Sequence, residues 1–224
     1  MRPAWLDEDM PVTEIVPAEA LDELRTTARP AAFHTAARAL AHALVALADE
    51  DDERAVQAAR EAKRLAPRSA SVREAYGLGL YRAGAFKEAR TELAAAQRIS
   101  GRQDLAAMLA DIERALGRPE RAIALFERVD RSKLEPDTAA ELLLVAASAY
   151  GDLGQPASGV ALIRRHARWP TELADHHLRL AYAEGALAEQ AGDLPRARAA
   201  FTRVVRADPE FHDAAERLDR VAPG

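Results

Sequence analysis

Residues 185–209, GALAEQAGDLPRARAAFTRVVRADP, contain the pattern that decides the fold. Gly192 is followed closely by Pro195, and the small residues Gly185 and Ala197 lie on either side of this joint. A glycine just past one helix and a proline in the first turn of the next are typical of a tight helix–helix joint. Small side chains on both sides let two helices approach closely. The stretch therefore predicts two antiparallel helices packed as a hairpin.

The same arrangement recurs along most of the chain, at spacings of about 33 to 38 residues, which is the period of one helix pair. The other joint positions are Glu50, Gly84, Gly117 and Gly154. Small residues precede and follow every joint at fixed distances. Those before the joints are Ala43, Gly77, Ala110, Ala147 and Gly185, and those after them are Ala55, Ala89, Ala122, Gly159 and Ala197. This phasing predicts about five helix pairs.

The second and fifth units carry the fullest version of the motif. In the second unit it consists of Tyr76-Gly77, Leu80-Tyr81, Gly84, Phe86, Ala89, Leu93 and Ala96. This motif resembles the tetratricopeptide repeat, although Glu50 replaces the glycine of the first unit and His166 an alanine of the fourth. The resemblance implies an all-α, right-handed α-solenoid of about five hairpins with a C-terminal capping helix. The whole arrangement also resembles uncharacterised repeat proteins of GC-rich bacteria, which brings no known activity.

We expect an N-terminal arm followed by one repeat domain. Residues 1–30 form the arm, which is acidic and contains several prolines, so an extended chain is expected before a short helix at Ala18–Thr27. Trp5 and Leu6 are the bulky apolar pair that would pin the arm to the repeats. The repeat domain spans 31–222. Its units are expected at about 34–67, 70–101, 103–134, 140–171 and 178–209, with the capping helix at 210–221.

The composition excludes several kinds of chemistry. The chain has 224 residues, 49% of them hydrophobic, and it contains no cysteine, which rules out disulfides and thiolate ligands. A net charge of -5 disfavours nucleic acid as a partner, because phosphate binding relies on excess positive charge. We expect neither a secretory signal nor a stretch as long as a membrane span, and hence a cytoplasmic protein without membrane contact.

No constellation of residues predicts catalysis, a cofactor or a metal ion. His176 and His177 are adjacent, so their side chains are expected to point in different directions from a solvated loop. His166 falls at a packing position, where a buried neutral imidazole is expected. Asp104 and Asp111 lie about two helical turns apart, too far to share a proton. We therefore predict a protein that is not an enzyme.

A stacked array of hairpins instead creates a groove lined by the first helix of each pair, and such grooves bind segments of other proteins. Counting back from each joint predicts the residues that face this groove. The candidates are Glu74, Leu78, Tyr81, Arg82, Asp111, Arg114, Glu141, Ser148, Asp152, Arg179, Tyr182 and Glu189. Acids outnumber bases among the counted positions, which favours a segment with basic and apolar side chains. Tyrosine and arginine are the best candidates for binding energy.

The leading hypothesis is a scaffold or adaptor that binds a protein segment in this groove. One alternative is an RNA- or ribosome-associated protein that uses arginines on the second helices. These arginines are Arg164, Arg165, Arg168, Arg196, Arg198, Arg203 and Arg206. Another alternative is a regulatory domain whose N-terminal arm occludes the groove. Self-association through terminal faces is also open, because repeat arrays end in exposed apolar surfaces.

Overall fold

The computed structural model describes residues 10–222, and the described part is built from α-helices joined by short turns. The helices are α1 Val12–Ile15, α2 Ala18–Thr27, α3 Phe33–Ala48, α4 Asp52–Leu65, α5 Ala70–Arg82, α6 Phe86–Ser100, α7 Ala106–Ala115, α8 Pro119–Arg128, α9 Pro136–Asp152, α10 Pro156–His166, α11 Asp175–Gln190, α12 Leu194–Ala207 and α13 Ala214–Arg220. The chain divides into two compact units, Met1–Leu105 (unit 1) and Ala106–Gly224 (unit 2).

The helices pack in successive pairs within each unit. Unit 1 contains the hairpins α3–α4 and α5–α6, and unit 2 contains α7–α8, α9–α10 and α11–α12. First helices also lie against one another, with α3 on α5 in unit 1 and with α9 between α7 and α11 in unit 2. The terminal helix α13 packs against α12 and buries Ala214. The predicted all-α, repeat-like fold is therefore confirmed.

The joints share one backbone conformation. The joint glycines have φ values between 69° and 77°, in the left-handed region that L side chains rarely adopt. Glu50, which the spacing alone places at the first joint, has a φ of 59°. A non-glycine residue in this region is uncommon. Its conformation shows that the first hairpin turns in the same way as the others, although the motif is degenerate there.

The small residues of the motif lie where two helices touch. A Cβ added to Gly77 would lie 2.6 Å from Cγ of Leu93, and one added to Gly185 would lie 2.7 Å from the Phe201 ring. In both hairpins a bulky residue of the second helix fills the space left by a glycine of the first. This explains why the sequence alternates small and large residues at fixed distances from the joints.

One stretch corrects the expectation that no segment reaches the length of a membrane span. The helical run Pro30–Ala48 has 19 residues and a mean hydropathy of 1.3, and half of it is buried. Ala36, Ala39 and Leu40 of this run are almost completely buried, and α3 packs against α4 and α5. A helix in the core of a hairpin can be as long and as apolar as a membrane span. The length and composition of this run are therefore weak evidence that it crosses a membrane.

The predicted short helix at Ala18–Thr27 is present as α2, whereas the described residues before it differ from the expected extended chain. The described part of the N-terminal arm forms the single turn α1 and then α2, and Val16 between them is buried. Pro11 and Pro17 lie directly before the two helices, where proline is tolerated because the first backbone N–H groups have no partner within a helix. The predicted pinning pair Trp5 and Leu6 lies outside the described residues.

Candidate functional site

In unit 1, the N-terminal helices pack in the same core as the first helices of both hairpins. Leu21 and Leu24 of α2 belong to one buried cluster with Leu40 of α3 and Val72 of α5. The partly buried Leu78, a predicted groove residue, packs against this cluster. Leu78 is therefore partly occupied by packing within unit 1, although the sequence assigns it to a partner.

A polar contact fixes α2 against the beginning of α5. The carboxylate of Glu23 accepts a hydrogen bond from the Ser71 hydroxyl at 2.6 Å and from the Ser71 backbone N–H at 3.1 Å. It also accepts one from the backbone N–H of Ala70. These N–H groups belong to the first turn of α5 and have no acceptor within the helix. Glu23 thus acts as a helix cap supplied by another helix.

Replacing Glu23 with alanine is expected to lower the free energy of unfolding of unit 1 by about 1 to 2 kcal/mol, the usual cost of a lost helix cap. Urea unfolding measures the change, and hydrogen exchange should locate it in the first turn of α5. Glu19→Ala is the matched control, because Glu19 is exposed on the same helix. Equal effects of the two substitutions would contradict the capping role.

The other candidates of unit 1 are held by neighbours in the same unit. Glu74 pairs with Arg102 at 3.1 Å; burial raises the pKa of the Glu74 carboxyl, and the Arg102 charge opposes the shift. Arg82 pairs with Asp52 at 2.7 Å and donates to the carbonyl oxygen of Leu47. Tyr81 packs edge-on against Phe86, with ring centroids 5.9 Å apart.

Unit 2 contains a different surface, an open pocket of about 670 Å³ that we call the groove pocket. First helices supply most of its wall, namely the end of α7, the second half of α9, and α11. Five predicted residues line it, which are Arg114, Ser148, Asp152, Arg179 and Tyr182. The remaining wall is largely apolar and comes from Leu144, Ala183, Ala186, Leu187 and Phe211. An apolar floor with a few convergent polar groups is the usual character of a binding site.

Tyr182 is held in place by aromatic and polar contacts. Its hydroxyl donates a 2.5 Å hydrogen bond to Asp213, and its ring lies 5.9 Å from that of Phe201 and 6.0 Å from that of Phe211. Burial and the hydrogen bond to Asp213 raise the pKa of the Tyr182 hydroxyl. Tyr182 therefore attaches the segment before α13 to α11 and presents only part of its ring to the pocket.

Ion pairs join the first helices of unit 2 to one another. Arg114 of α7 pairs with Asp152 of α9 at 2.8 Å, and Glu141 of α9 pairs with Arg179 of α11 at 2.7 Å. Glu189 of α11 lies 3.6 Å from Arg217 of α13 and 3.7 Å from Arg220. Asp111 lies 3.4 Å from Arg114 on the same helix.

These pairs change the charge balance inferred from the sequence. Among the groove positions counted from the sequence, acids outnumbered bases. That count did not include Arg102, Arg217 and Arg220, which lie outside the counted positions but pair with Glu74 or Glu189. Much of the negative charge on the groove is therefore matched by arginine. The preference for a basic segment stays a prediction, and the apolar wall offers the clearer recognition surface.

The sequence did not predict Phe211 and His212 as part of the groove pocket. They lie in the connection after Pro209, beyond the last repeat, where counting from a joint assigns no position. His212 has a φ of 50°, and its ring lies 4.5 Å from Phe211 and 5.5 Å from Tyr182. The sequence feature that could have indicated their role is a pair of adjacent aromatic residues in an otherwise polar segment.

The expectation that His176 and His177 lie in a loop and point in different directions was wrong. Both lie in the first turn of α11, and their rings are in contact, with centroids 4.0 Å apart and planes tilted by 39°. The Nδ1 atom of His177 accepts a hydrogen bond from the backbone N–H of Ala174, which turns this ring back towards the helix start. Within residues 10–222 no group of His, Asp and Glu side chains has the arrangement of a metal site.

Successive hairpins, left-handed joints and small contact residues define a helical-repeat protein with a tetratricopeptide-repeat-like fold. The crystal structure of YrrB, a TPR protein with an unusual peptide-binding site, is similar to this chain with a TM-score of 0.58 and 18% sequence identity. The match covers 82% of this chain and 91% of that chain. The structure of Naa15/Naa10 bound to HypK-THB matches with a TM-score of 0.39 and 16% identity, over 91% of this chain and 39% of that chain. No protein-family model matches the chain, and no curated protein matches its sequence.

Proposed function

We propose that this protein is a non-enzymatic interaction module that binds a segment of another protein in the groove pocket of unit 2. The observation that carries the proposal is the apolar wall formed by Leu144, Ala186, Leu187 and Phe211 in an open pocket of about 670 Å³. A pocket of this size accommodates one or two large side chains of a bound segment. The peptide-binding site named for YrrB supports the same kind of ligand.

The proposed segment places apolar side chains against this wall and polar groups near the ion pairs at its edge. Asp152 keeps a partly exposed side chain beside its partner Arg114, and Ser148 lines the same pocket. Basic side chains on the segment would be attracted to Asp152, as the sequence predicts. A cytoplasmic location is part of this proposal.

The test uses a substitution that fills the pocket without disturbing the core. Peptides are first selected from a random display library on the full-length protein, and their affinities are measured by fluorescence anisotropy. Ala186→Trp places an indole at the pocket wall and is expected to weaken binding by about tenfold or more, equivalent to at least ~1.4 kcal/mol. Tyr182→Ala is a poorer choice, because it would also release the segment before α13.

The matched control is Ala161→Trp, which places the same side chain at an exposed position of the second helix α10. It should change affinity by less than about twofold, since surface substitutions away from a site have small effects. Selected peptides that bind the Ala186→Trp protein as tightly as the unchanged protein would refute the groove pocket as the site.

The RNA-binding alternative predicts a different outcome. Several arginines of the second helices already have partners, since Arg196 pairs with Asp193 at 2.8 Å and Arg203 with Glu184 at 3.2 Å. A salt-dependent shift of RNA that disappears after reversal of these arginine charges would favour it over peptide binding.

A further inference from the structure

A second pocket in unit 2 lies among the beginnings of α9 and α11 and the ends of α8 and α10. It has a volume of about 300 Å³ and a partly apolar lining that includes Phe126, Leu143 and Leu180. We call it the histidine pocket. It shares no lining residue with the groove pocket.

Basic side chains from several elements converge on this pocket. Arg131 follows α8, His166 is the last residue of α10 and Arg168 follows it, and His176 and His177 lie at the start of α11. The sequence gives no sign of this convergence, because these residues come from three separate segments. The chain as a whole is acidic, so a local concentration of bases stands out against its net charge of -5.

The partners of these groups leave the pocket with positive character. Arg131 donates to the carbonyl oxygen of Phe126 at 2.5 Å, and Arg168 donates to that of Ala167 at 3.1 Å, so neither bond neutralises a charge. An acidic residue, Asp137 of α9, pairs with His176 at the cluster. Its side chain is 77% exposed, which weakens its effect on the other bases.

Burial and neighbouring positive charges both disfavour protonation of two of the histidines. Burial lowers the pKa of His166, and the charges of Arg131, Arg165 and Arg168 lower it further. Burial lowers the pKa of His177, with His176 adding to the shift and Asp137 opposing it. A negative charge placed among these groups would act in the opposite direction and favour the protonated imidazoles.

We propose that the histidine pocket binds a small organic carboxylate, with its apolar body against the accessible lining residues Pro136 and Ala139 and its charge near Arg131, Arg168 and the histidines. The volume lies at the lower end of the range for small-molecule sites, which limits the ligand to roughly ten to fifteen non-hydrogen atoms. The apolar lining distinguishes this site from a cationic patch that attracts any anion. Binding is linked to uptake of protons by the histidines, so affinity increases as pH falls.

The test uses phenylacetate as the probe and the histidine ring protons in NMR spectra of the full-length protein as the readout. The chain has 6 histidines, and His166→Gln and His177→Gln assign the two signals of interest. Phenylacetate should shift both signals saturably, with a dissociation constant of about 1 mM, as suits so small a ligand. Affinity should increase between about pH 7.5 and about pH 5.5, by up to about tenfold per pH unit for one coupled proton.

The variants separate a built site from general attraction of anions. Arg168→Gln should weaken phenylacetate binding by about fivefold, because it removes one exposed charge of the cluster. The matched control is Arg164→Gln, which changes an exposed arginine of α10 that does not line this pocket and should leave affinity within about twofold. Arg131→Gln provides a second test of the cluster if the first variant is unstable.

Three outcomes would overturn the proposal. The first is the absence of saturable histidine shifts with phenylacetate. The second is equal binding of benzyl alcohol or of inorganic phosphate, which would show that the carboxylate or the apolar body contributes nothing. The third is an affinity that does not change with pH or with loss of the arginine charges. Because the groove pocket has other lining residues, the Ala186→Trp protein should bind phenylacetate normally whether or not the proposed adaptor function is correct.

Discussion

Replacing Gly159 with valine is expected to lower the free energy of unfolding of unit 2 by about 3 kcal/mol, the upper end of the usual cost of overpacking. A Cβ on Gly159 would lie 2.5 Å from the backbone carbonyl oxygen of Ala147 and 3.0 Å from a methyl group of Leu187. The oxygen belongs to the backbone of α9 and cannot turn away as a side chain does. The helices α9 and α10 would have to separate. Thermal and urea unfolding measure the loss.

The control for this prediction is Ala157→Val in the same helix α10. Ala157 is exposed, so the added methyl groups enter solvent and cost only the small difference in helix propensity. A change of less than about 0.7 kcal/mol is expected there. Unfolding free energies that fall equally for both variants would show that helix propensity, and not the close approach of α9 and α10, controls the site.

Replacing Leu24 with alanine should produce a comparable loss in unit 1, of about 3 kcal/mol. Leu24 is 0% exposed and packs in the cluster that joins α2 to the first helices α3 and α5. Its truncation removes buried apolar surface and leaves a cavity between these helices. Hydrogen exchange should show faster opening of α1 and α2 than of the hairpin α5–α6, because the N-terminal helices have fewer contacts with the rest of the unit.

Leu194→Ala is the control for the same chemical change, because Leu194 is 47% exposed at the start of α12. Its truncation should cost less than about 1 kcal/mol. An unaffected unfolding transition in Leu24→Ala would mean that α2 is not part of the folded unit, and it would leave the first-helix surface of unit 1 open to a partner.

The hairpins could be predicted from sequence because each depends on a local rule. Gly192 adopts a left-handed backbone conformation, and Gly185 leaves space for the Phe201 side chain. Both requirements appear in the sequence as glycines at fixed positions of the repeat. Even Glu50 could be placed, since the spacing identifies the first joint without a glycine. Its φ of 59° shows that the chain can adopt the joint conformation where the residue type does not favour it.

The candidate sites could be predicted only in part, because they depend on contacts between distant segments. The bond between Glu23 and Ser71 joins residues 48 positions apart, and no repeat period relates α2 to α5. Phe211 likewise reaches the groove pocket from a segment that follows the last repeat. The charge count missed Arg217 for the same reason, since this arginine lies outside the counted positions and pairs with Glu189.

The contacts of unit 2 fall into two kinds with different responses to salt. The two helices of each hairpin are held by apolar packing such as Phe201 on Gly185, which ionic strength affects little. The first helices of neighbouring hairpins are joined in addition by partly exposed pairs such as Arg114–Asp152, which salt weakens. Raising the ionic strength should therefore weaken the ion pairs between neighbouring first helices while leaving the apolar packing of unit 2 in place.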